Sequence, residues 1–528
     1  MRWRIQSFKR AAFWSTAIGV FGQFLSLGFG MLMAALFGAQ DSTDVLYYCI
    51  GTFGLMAALM QQVNVVVLIP ETMRRREQTG EDDAMAFINR FFLFFCTLIL
   101  AVTGLMLVHP SGVLTTISRF SLEMLEANRT LVFWLVISFP LQMVAQLLLD
   151  VLVSYRFLSL PVGLSCMSRV INVAFVLAFH RRLGVVSAAM GMAVGFGLQI
   201  MVNAWLLRRV VGWKPWAWKT RIGATVFQNI LWAELGTVAM VLAGYLPLYL
   251  FSGFSAGAMT ALNYAQRMSR MPTDVLTTQF SSVAAIKFNE LTARRQEDEL
   301  NAAFGRLSRV IVFLLMPFSV LLAIAGPDVI EILFGRGQFE GEALRTTSLL
   351  FSVFILILPL TGFMTIQTRY VVARQAIRYG VLWQIFSNAL NFAIVWFCVR
   401  QLGVLGYPVG LFAHLLAYML IITVPMIRRF PSIPFWAVWR SFASDAVLCG
   451  VAAAPALWFR AWAPPQMSPW TLGTSTAMLY GLSYGLALLV WPCDRMAMAY
   501  VGQMAGSLLG RVRTVAAKFR VPGKRSMR

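Results

Sequence analysis

Apolar residues run through this chain in long blocks, and short polar segments separate them. Fourteen blocks reach the roughly 20 residues that cross a bilayer as a helix, centred near residues 24, 57, 97, 141, 168, 195, 238, 270, 319, 358, 388, 415, 451 and 481. Lipid offers no hydrogen bonds to a bare backbone, so blocks of this length fold as helices. The pattern predicts an all-α polytopic membrane protein of about 14 transmembrane helices. No small-residue cleavage site follows the first block after MRWRIQSFKR, so that block reads as an uncleaved span and not as a signal peptide.

The blocks also repeat. NVAFVLAFHRRLGV from Asn172 aligns with NFAIVWFCVRQLGV from Asn391 at an offset of 219 residues, with 7 of 14 positions identical. The same offset pairs Pro140 with Pro359 and Gly191 with Gly410. A duplicated bundle of helices is a common layout among transporters. It divides the chain into a six-helix lobe at 1–209, a basic interfacial linker at 210–221, and a second, pseudo-symmetric six-helix lobe at 222–429. Two additional transmembrane helices at 430–492 and a basic cytoplasmic tail at 493–528 follow. The linker region Arg208–Arg221 mixes tryptophans with basic residues, as suits a membrane interface. Lys287–Arg309 predicts a solvated helix of mixed charge between spans eight and nine.

Composition narrows the class. A hydrophobic content of 59% excludes an ordinary soluble domain. The net charge of +22 follows topology: with a cytoplasmic N-terminus, roughly 33 of the 44 Lys and Arg fall on inner segments and roughly 8 outside. That orientation fits the inner (cytoplasmic) membrane with both termini cytoplasmic, and its basic loops attract anionic membrane lipids. Nucleic acid is not an expected partner, because the basic residues are spread over many short loops. The six cysteines show no CxxC spacing, and the chain has no HExxH, Walker-A or GxGxxG motif. No metal, cofactor or catalytic residue is assigned. With no large outer loop and no paired catalytic carboxylates, an enzyme is not the expected class.

Several segments carry a resemblance. LFGAQDSTDVLYY and VLIPETMRRRE resemble the start of MurJ/MviN-type lipid II flippases of the MOP exporter superfamily, which read FGAG-x-x-TDAFF and then a VP-x-x-x-E-type segment. SYRFLSLP from Ser154, LNYAQRMSRMPTDVL from Leu262 and MPFSVLLAIAGPDVIEILFGRGQF from Met316 are similar to further family segments, so the likeness runs over roughly residues 10 to 430. It implies a cavity lined by arginines that holds a pyrophosphate-linked lipid headgroup. This chain departs from that pattern: the positions implied for three arginines hold Gln23, Phe29 and Ala57, and the eighth-span arginine alone has a counterpart, Arg267. The departures point to a related polyprenyl-linked glycan.

A charge inside a span costs about 2.5–3.5 kcal/mol on insertion scales, so each one needs a partner, a wet cavity or an interfacial position. Arg267 and Arg270 share a face of the eighth span and suit two-point binding of phosphate oxygens; Arg270 also suits snorkelling or pairing with Asp274. Arg169 has the neutral repeat partner Asn388, and it either adds positive charge to the cavity or pairs with Glu234 or Asp150. Glu234 either binds a coupling cation or proton, or balances an arginine. Asp44 matches the family's TDAFF aspartate, which implies a gating role, while its position also suits a cap on the second span. Asp150 and Arg369 are repeat equivalents of opposite sign, a candidate salt bridge between lobes. Asn172 and Asn391 suit hydrogen bonds between helices.

The leading expectation is a flippase moving a polyprenyl-(pyro)phosphate-linked oligosaccharide or peptidoglycan precursor by alternating access. Two alternatives stay open: a cation- or proton-coupled multidrug antiporter of the same superfamily, and a non-transporting pseudo-flippase that holds glycan-assembly enzymes. The antiporter wants acidic cavity residues, whereas the in-span charges here are mainly arginine.

Overall fold

The computed structural model describes residues 8–502 apart from 156, 158, 219, 221–222, 375–376, 430–432, 465 and 500. The basic residues before Phe8, Arg221 of the linker, and the tail from 503 to 528 lie outside the described residues. The helices are α1 (Phe8–Phe37), α2 (Asp41–Val63), α3 (Ile69–Gln78), α4 (Glu81–Val108), α5 (Pro110–Ile117), α6 (Leu122–Ala127), α7 (Arg129–Ser154), α8 (Ser159–Leu183) and α9 (Val186–Leu206). They continue as α10 (Ala224–Phe251), α11 (Ala258–Ala293), α12 (Glu297–Phe334), α13 (Gly341–Ile355), α14 (Leu358–Ala373), α15 (Ile377–Leu402), α16 (Gly406–Arg429), α17 (Phe435–Trp462) and α18 (Pro469–Val490). Among the described residues there is no strand. Five-residue π turns join α2 to α3 at Asn64–Leu68 and extend α9 at Leu207–Val211.

Eleven helical segments among the described residues are long and apolar enough to cross a membrane, or twelve if α13 and α14, bent by 41° at their break, form one span. Two features separate that count from the expected fourteen. The segment Gly380–Met426 is one 47-residue stretch that takes in most of both α15 and α16. The 36-residue α11 carries Arg267, Arg270, Asp274, Lys287 and Glu290, which lower its apolarity without shortening it. The expected connector Lys287–Arg309 is not one helix. It comprises the end of α11 and the start of α12, and the chain reverses at Arg295, whose φ of 56° is the left-handed turn that ends a helix.

By contact the chain falls into two compact units: Met1–Met271 with Ile330–Phe351 and Val381–His414, and Pro272–Val329 with Ser352–Gly380 and Leu415–Arg528. In the first unit α7, α8 and α9 pack together, α1 lies on α8, and α2 lies on α10. Small residues allow the close approach. A Cβ on Gly195 would sit 2.7 Å from the Ser168 carbonyl oxygen, and one on Gly191 would sit 2.5 Å from Asn172 Oδ1. The repeat explains itself here. Gly184 and Gly403, equivalent at the 219-residue offset, have φ of 55° and 59°, and each ends its helix before the chain turns back. The pair Ser168 and Gly195 meets in α8–α9, and the equivalent pair Ser387 and His414 meets in α15–α16 with Oγ and Nε2 3.4 Å apart.

The linker is held to the first unit by specific bonds. Asn89 Nδ2 donates to the carbonyls of Lys214 and Ala217, both at 2.8 Å, and Trp213 Nε1 donates to Asn89 Oδ1. Lys214 pairs with Asp82, and Thr220 donates to Asp83, which also pairs with Arg75. Trp216 and Trp218 stay exposed, in keeping with an interfacial segment.

The second unit has an aromatic centre of Phe288, Phe304, Phe363, Tyr370 and Phe435. Tyr370 donates to Asn301 Oδ1 at 2.6 Å, and Arg374 donates to the same oxygen. The segment after α18 is clipped by Asp494, which is buried and accepts from Arg309 Nε and Nη2, both at 2.6 Å, and from Ser441 Oγ. Burial alone raises such a carboxyl, but the guanidinium and hydroxyl bonds win and hold Asp494 below the ordinary carboxylate range.

Candidate functional site: a cationic cavity

Local sequence explains how the first unit positions its arginines. Phe37 and Gly38 end α1 and Phe334 to Phe339 follow α12; these are the FGAQ and FGRGQF motifs, and they lie against each other. Gly38 and Gly337 both take left-handed φ, 62° and 72°, and a Cβ on Gly337 would strike the Ala35 carbonyl oxygen at 2.2 Å. Gln338 N donates to that same oxygen. Beside this corner Asp44 receives the amides of Gly257 at 2.7 Å and Thr260 at 2.8 Å, together with the Thr260 hydroxyl. The aspartate thus caps the start of α11, satisfying amides that have no partner within their own helix. Tyr47 donates to Tyr264, whose ring stacks on Phe334. One turn further along α11 comes Arg267.

The capping expected of Asp44 is therefore corrected. Its helix is α11 and not the second span, whose N-cap is Gln40 in a reciprocal capping box with Thr43. Sequence distance hid this, because Asp44 and Thr260 are 216 residues apart.

Arg267 lines a cavity of about 320 Å³ together with Arg169. The remaining wall comes from Leu25, Ser26 and Phe29 of α1, Ile50 of α2, Gln142, Ala145 and Gln146 of α7, Ser165, Ser168 and Asn172 of α8, and Met192, Phe196 and Gln199 of α9. No carboxylate is among these lining residues. Two glycines of α1 make room for the arginines. A Cβ on Gly30 would come within 3.1 Å of Arg267 Nη1, and one on Gly22 within 3.4 Å of Arg169 Nη1. Arg169 Nη1 donates to the Gly22 carbonyl at 2.9 Å, while Arg267 Nη1 has no hydrogen-bond partner among the described residues. Two guanidinium groups facing one small polar space favour an anion with several oxygens.

The other expected residues fall elsewhere. Arg270 is exposed and is not part of the cavity wall. Glu234 is half-buried on α10 and does not line the cavity either. Arg169 does not form the structural ion pair weighed for it with Glu234 or Asp150; its guanidinium donates to the Gly22 backbone carbonyl instead. Asp150 is buried and accepts from two neutral amides, Asn64 Nδ2 at 2.7 Å and Gln146 Nε2 at 3.0 Å. Arg369, in the second unit, donates to Ser281 Oγ at 2.7 Å. Sequence reading missed Gln142, Gln146 and Gln199 as wall residues. The available signal was their presence in apolar helices, with Gln142 and Gln146 one turn apart.

The fold and cavity define a multi-pass helical membrane protein whose helices enclose a positively charged polar pocket. The family model described as "Lipid II flippase MurJ" matches residues 33–480, and the chain belongs to that family. It is 22% identical over 326 residues to "Probable lipid II flippase MurJ" of Borreliella burgdorferi, an alignment covering 61% of this chain and 64% of that protein, just under two thirds of the relative's length. Among solved structures it is similar to "Lipid II flippase MurJ, inward closed conformation", with a TM-score of 0.73 and 14% identity, covering 90% of this chain and 98% of the other. It is also similar to an inward-facing multidrug resistance MATE family transporter of the MOP superfamily, with a TM-score of 0.64 and 14% identity, covering 78% and 95%.

Proposed function

We propose that this protein moves a polyprenyl-diphosphate-linked glycan, of the peptidoglycan-precursor class, from the inner to the outer leaflet of the cytoplasmic membrane by alternating access. The observation that carries this reading is the pairing of Arg169 with Arg267 in a cavity whose wall holds no carboxylate. Family membership supports this substrate class, since lipid II is a lipid-linked peptidoglycan precursor. The absent first-span arginines are offset in place: Arg169 of α8 and Arg267 of α11 reach α1 at Gly22 and Gly30, beside Gln23 and Phe29. In this reading the two lobes at 1–209 and 222–429 alternate the cavity between leaflets, with both termini cytoplasmic. The helices at 430–492 add membrane-facing surface, and glycan-assembly enzymes are the protein partners. Asp44 acts by setting the position of α11 in each state, and Arg270 meets the substrate only on its way in. Glu234 and Arg369 are left to coupling and to closure.

A leaflet-accessibility assay in vesicles, loaded with a polyprenyl-diphosphate glycan, tests the proposal. Wild-type protein should expose the glycan on the opposite leaflet. Arg267→Lys should lower that rate at least about tenfold, because an ammonium cannot make the planar two-point contact with phosphate oxygens. Unmoved glycan combined with proton-linked efflux of an organic cation, lost in Glu234→Gln, would establish the antiporter instead.

A further inference from the structure

We infer that Asp150 is a positioning residue that gives the cavity a second recognition element, an acceptor face reading hydrogen-bond donors on the sugar part of the substrate, with Gln146 as the side chain it orients. The inference rests on the transport reading above. Its basis is the bonding of one carboxylate. Asp150 Oδ2 accepts from Asn64 Nδ2 and Oδ1 accepts from Gln146 Nε2, so each oxygen takes one amide N–H. Both oxygens act as acceptors, and the two amides therefore meet the carboxylate through their NH₂ groups. That fixes Gln146 with Oε1 turned away from Asp150, and Gln146 is part of the cavity wall. Gln199, also in the wall, has an Oε1 without a hydrogen-bond partner among the described residues.

The neighbourhood shows why Asp150 is there for orientation and not for an ion pair. The basic residues of nearby α3 are otherwise engaged: Arg74 with Glu71, Arg75 with Glu71, Asp83 and Thr220, and Arg76 over the ring of Tyr155. Asn64, the other donor, stands where α2 gives way to the π turn, so the same carboxylate ties that irregular turn to α7. The division of labour follows from donor and acceptor chemistry. Arginine can only donate, so Arg169 and Arg267 suit phosphate oxygens; sugar hydroxyl and amide N–H groups need acceptors, which Gln146 and Gln199 supply.

Replacing Asp150 by Asn preserves shape and reverses one bond. The new amide offers one acceptor and one donor, and the donor faces an N–H that must turn away. Of the two amides, Asn64 is fully buried and Gln146 lines the cavity, so Gln146 is the one that turns and presents Nε2 to the lumen.

The test uses the full-length protein in lipid nanodiscs and two probes, a bare polyprenyl diphosphate and the same carrier bearing a disaccharide. Asp150→Asn and Gln146→Leu should each weaken the glycosylated probe by about tenfold, equal to about 1.4 kcal/mol, while the bare diphosphate changes by less than about twofold. Arg267→Ala should weaken both probes alike. Equal weakening of the two probes by Asp150→Asn, or of neither, overturns the inference. If Asp150→Asn does not fold, the ratio measured with Gln146→Leu decides by the same criterion. If Arg267→Ala leaves both probes unaffected, the anion reading falls, while a glycan-selective loss in Gln146→Leu would still stand for the acceptor face.

Discussion

In α8–α9 the sequence Arg181-Arg182-Leu183-Gly184-Val185 closes the hairpin, and in α15–α16 Arg400-Gln401-Leu402-Gly403-Val404 does so at equivalent positions, with both glycines in the left-handed region. The helices behind these turns differ in chemistry. The first hairpin gives Arg169, Asn172 and Gln199 to the cavity wall, and the second holds Asn388, Asn391 and Tyr418 at those positions. The crossing differs too: Gly195 lets α9 touch the backbone of α8 at Ser168, whereas His414 meets Ser387 through side chains. Upstream, Pro140 lies inside a continuous α7, while its equivalent Pro359 starts α14 after the bent break from α13. Turn and register are thus shared, and charge and packing are free to diverge. A duplicated frame needs only the backbone geometry of its turns to survive.

Three tests bear on that contrast, in order of expected effect. Gly195→Leu should destabilise the protein by about 3 kcal/mol, since the added Cβ meets backbone that cannot move aside. Thermal unfolding in detergent would show this as a large fall in midpoint, and a fall no larger than that of His414→Leu would mean the two crossings are equally loose. Arg169→Asn, which makes the first hairpin resemble the second, should weaken polyprenyl-diphosphate binding by about 2 kcal/mol, the worth of a hydrogen bond to a charged group. Unchanged affinity would place the anion site on Arg267 alone. Gly184→Ala and Gly403→Ala should each cost about 1 kcal/mol for forcing a side chain into left-handed backbone. Unequal losses would show that the turns are not equivalent despite their matching φ.

The spans and the repeat were legible in the sequence because both are carried by the residues themselves, apolar length in the one case and matching positions at a fixed offset in the other. Arg267 was legible as a buried charge that had to be accommodated. Gln142, Gln146 and Gln199 were not, since an in-span amide is equally suited to a helix contact and to a cavity wall until its neighbours are known. Asp44 suggested a gate through its likeness to the family's TDAFF aspartate, and Asp150 suggested a salt bridge through its equivalence to Arg369 in the repeat. Their partners, Gly257 and Thr260 for one and Asn64 and Gln146 for the other, are assigned by folding.

By itself the sequence determined a multi-span helical membrane protein with an internal repeat, because a chain 59% hydrophobic with blocks of spanning length can satisfy its backbone in lipid only as helices. The tertiary structure decided which charges share a space. Arg169 and Arg267 are 98 residues apart in the chain and meet only because α1 offers Gly22 and Gly30 to α8 and α11. The orientation of Gln146 was settled the same way, by the bond its Nε2 donates to Asp150 Oδ1.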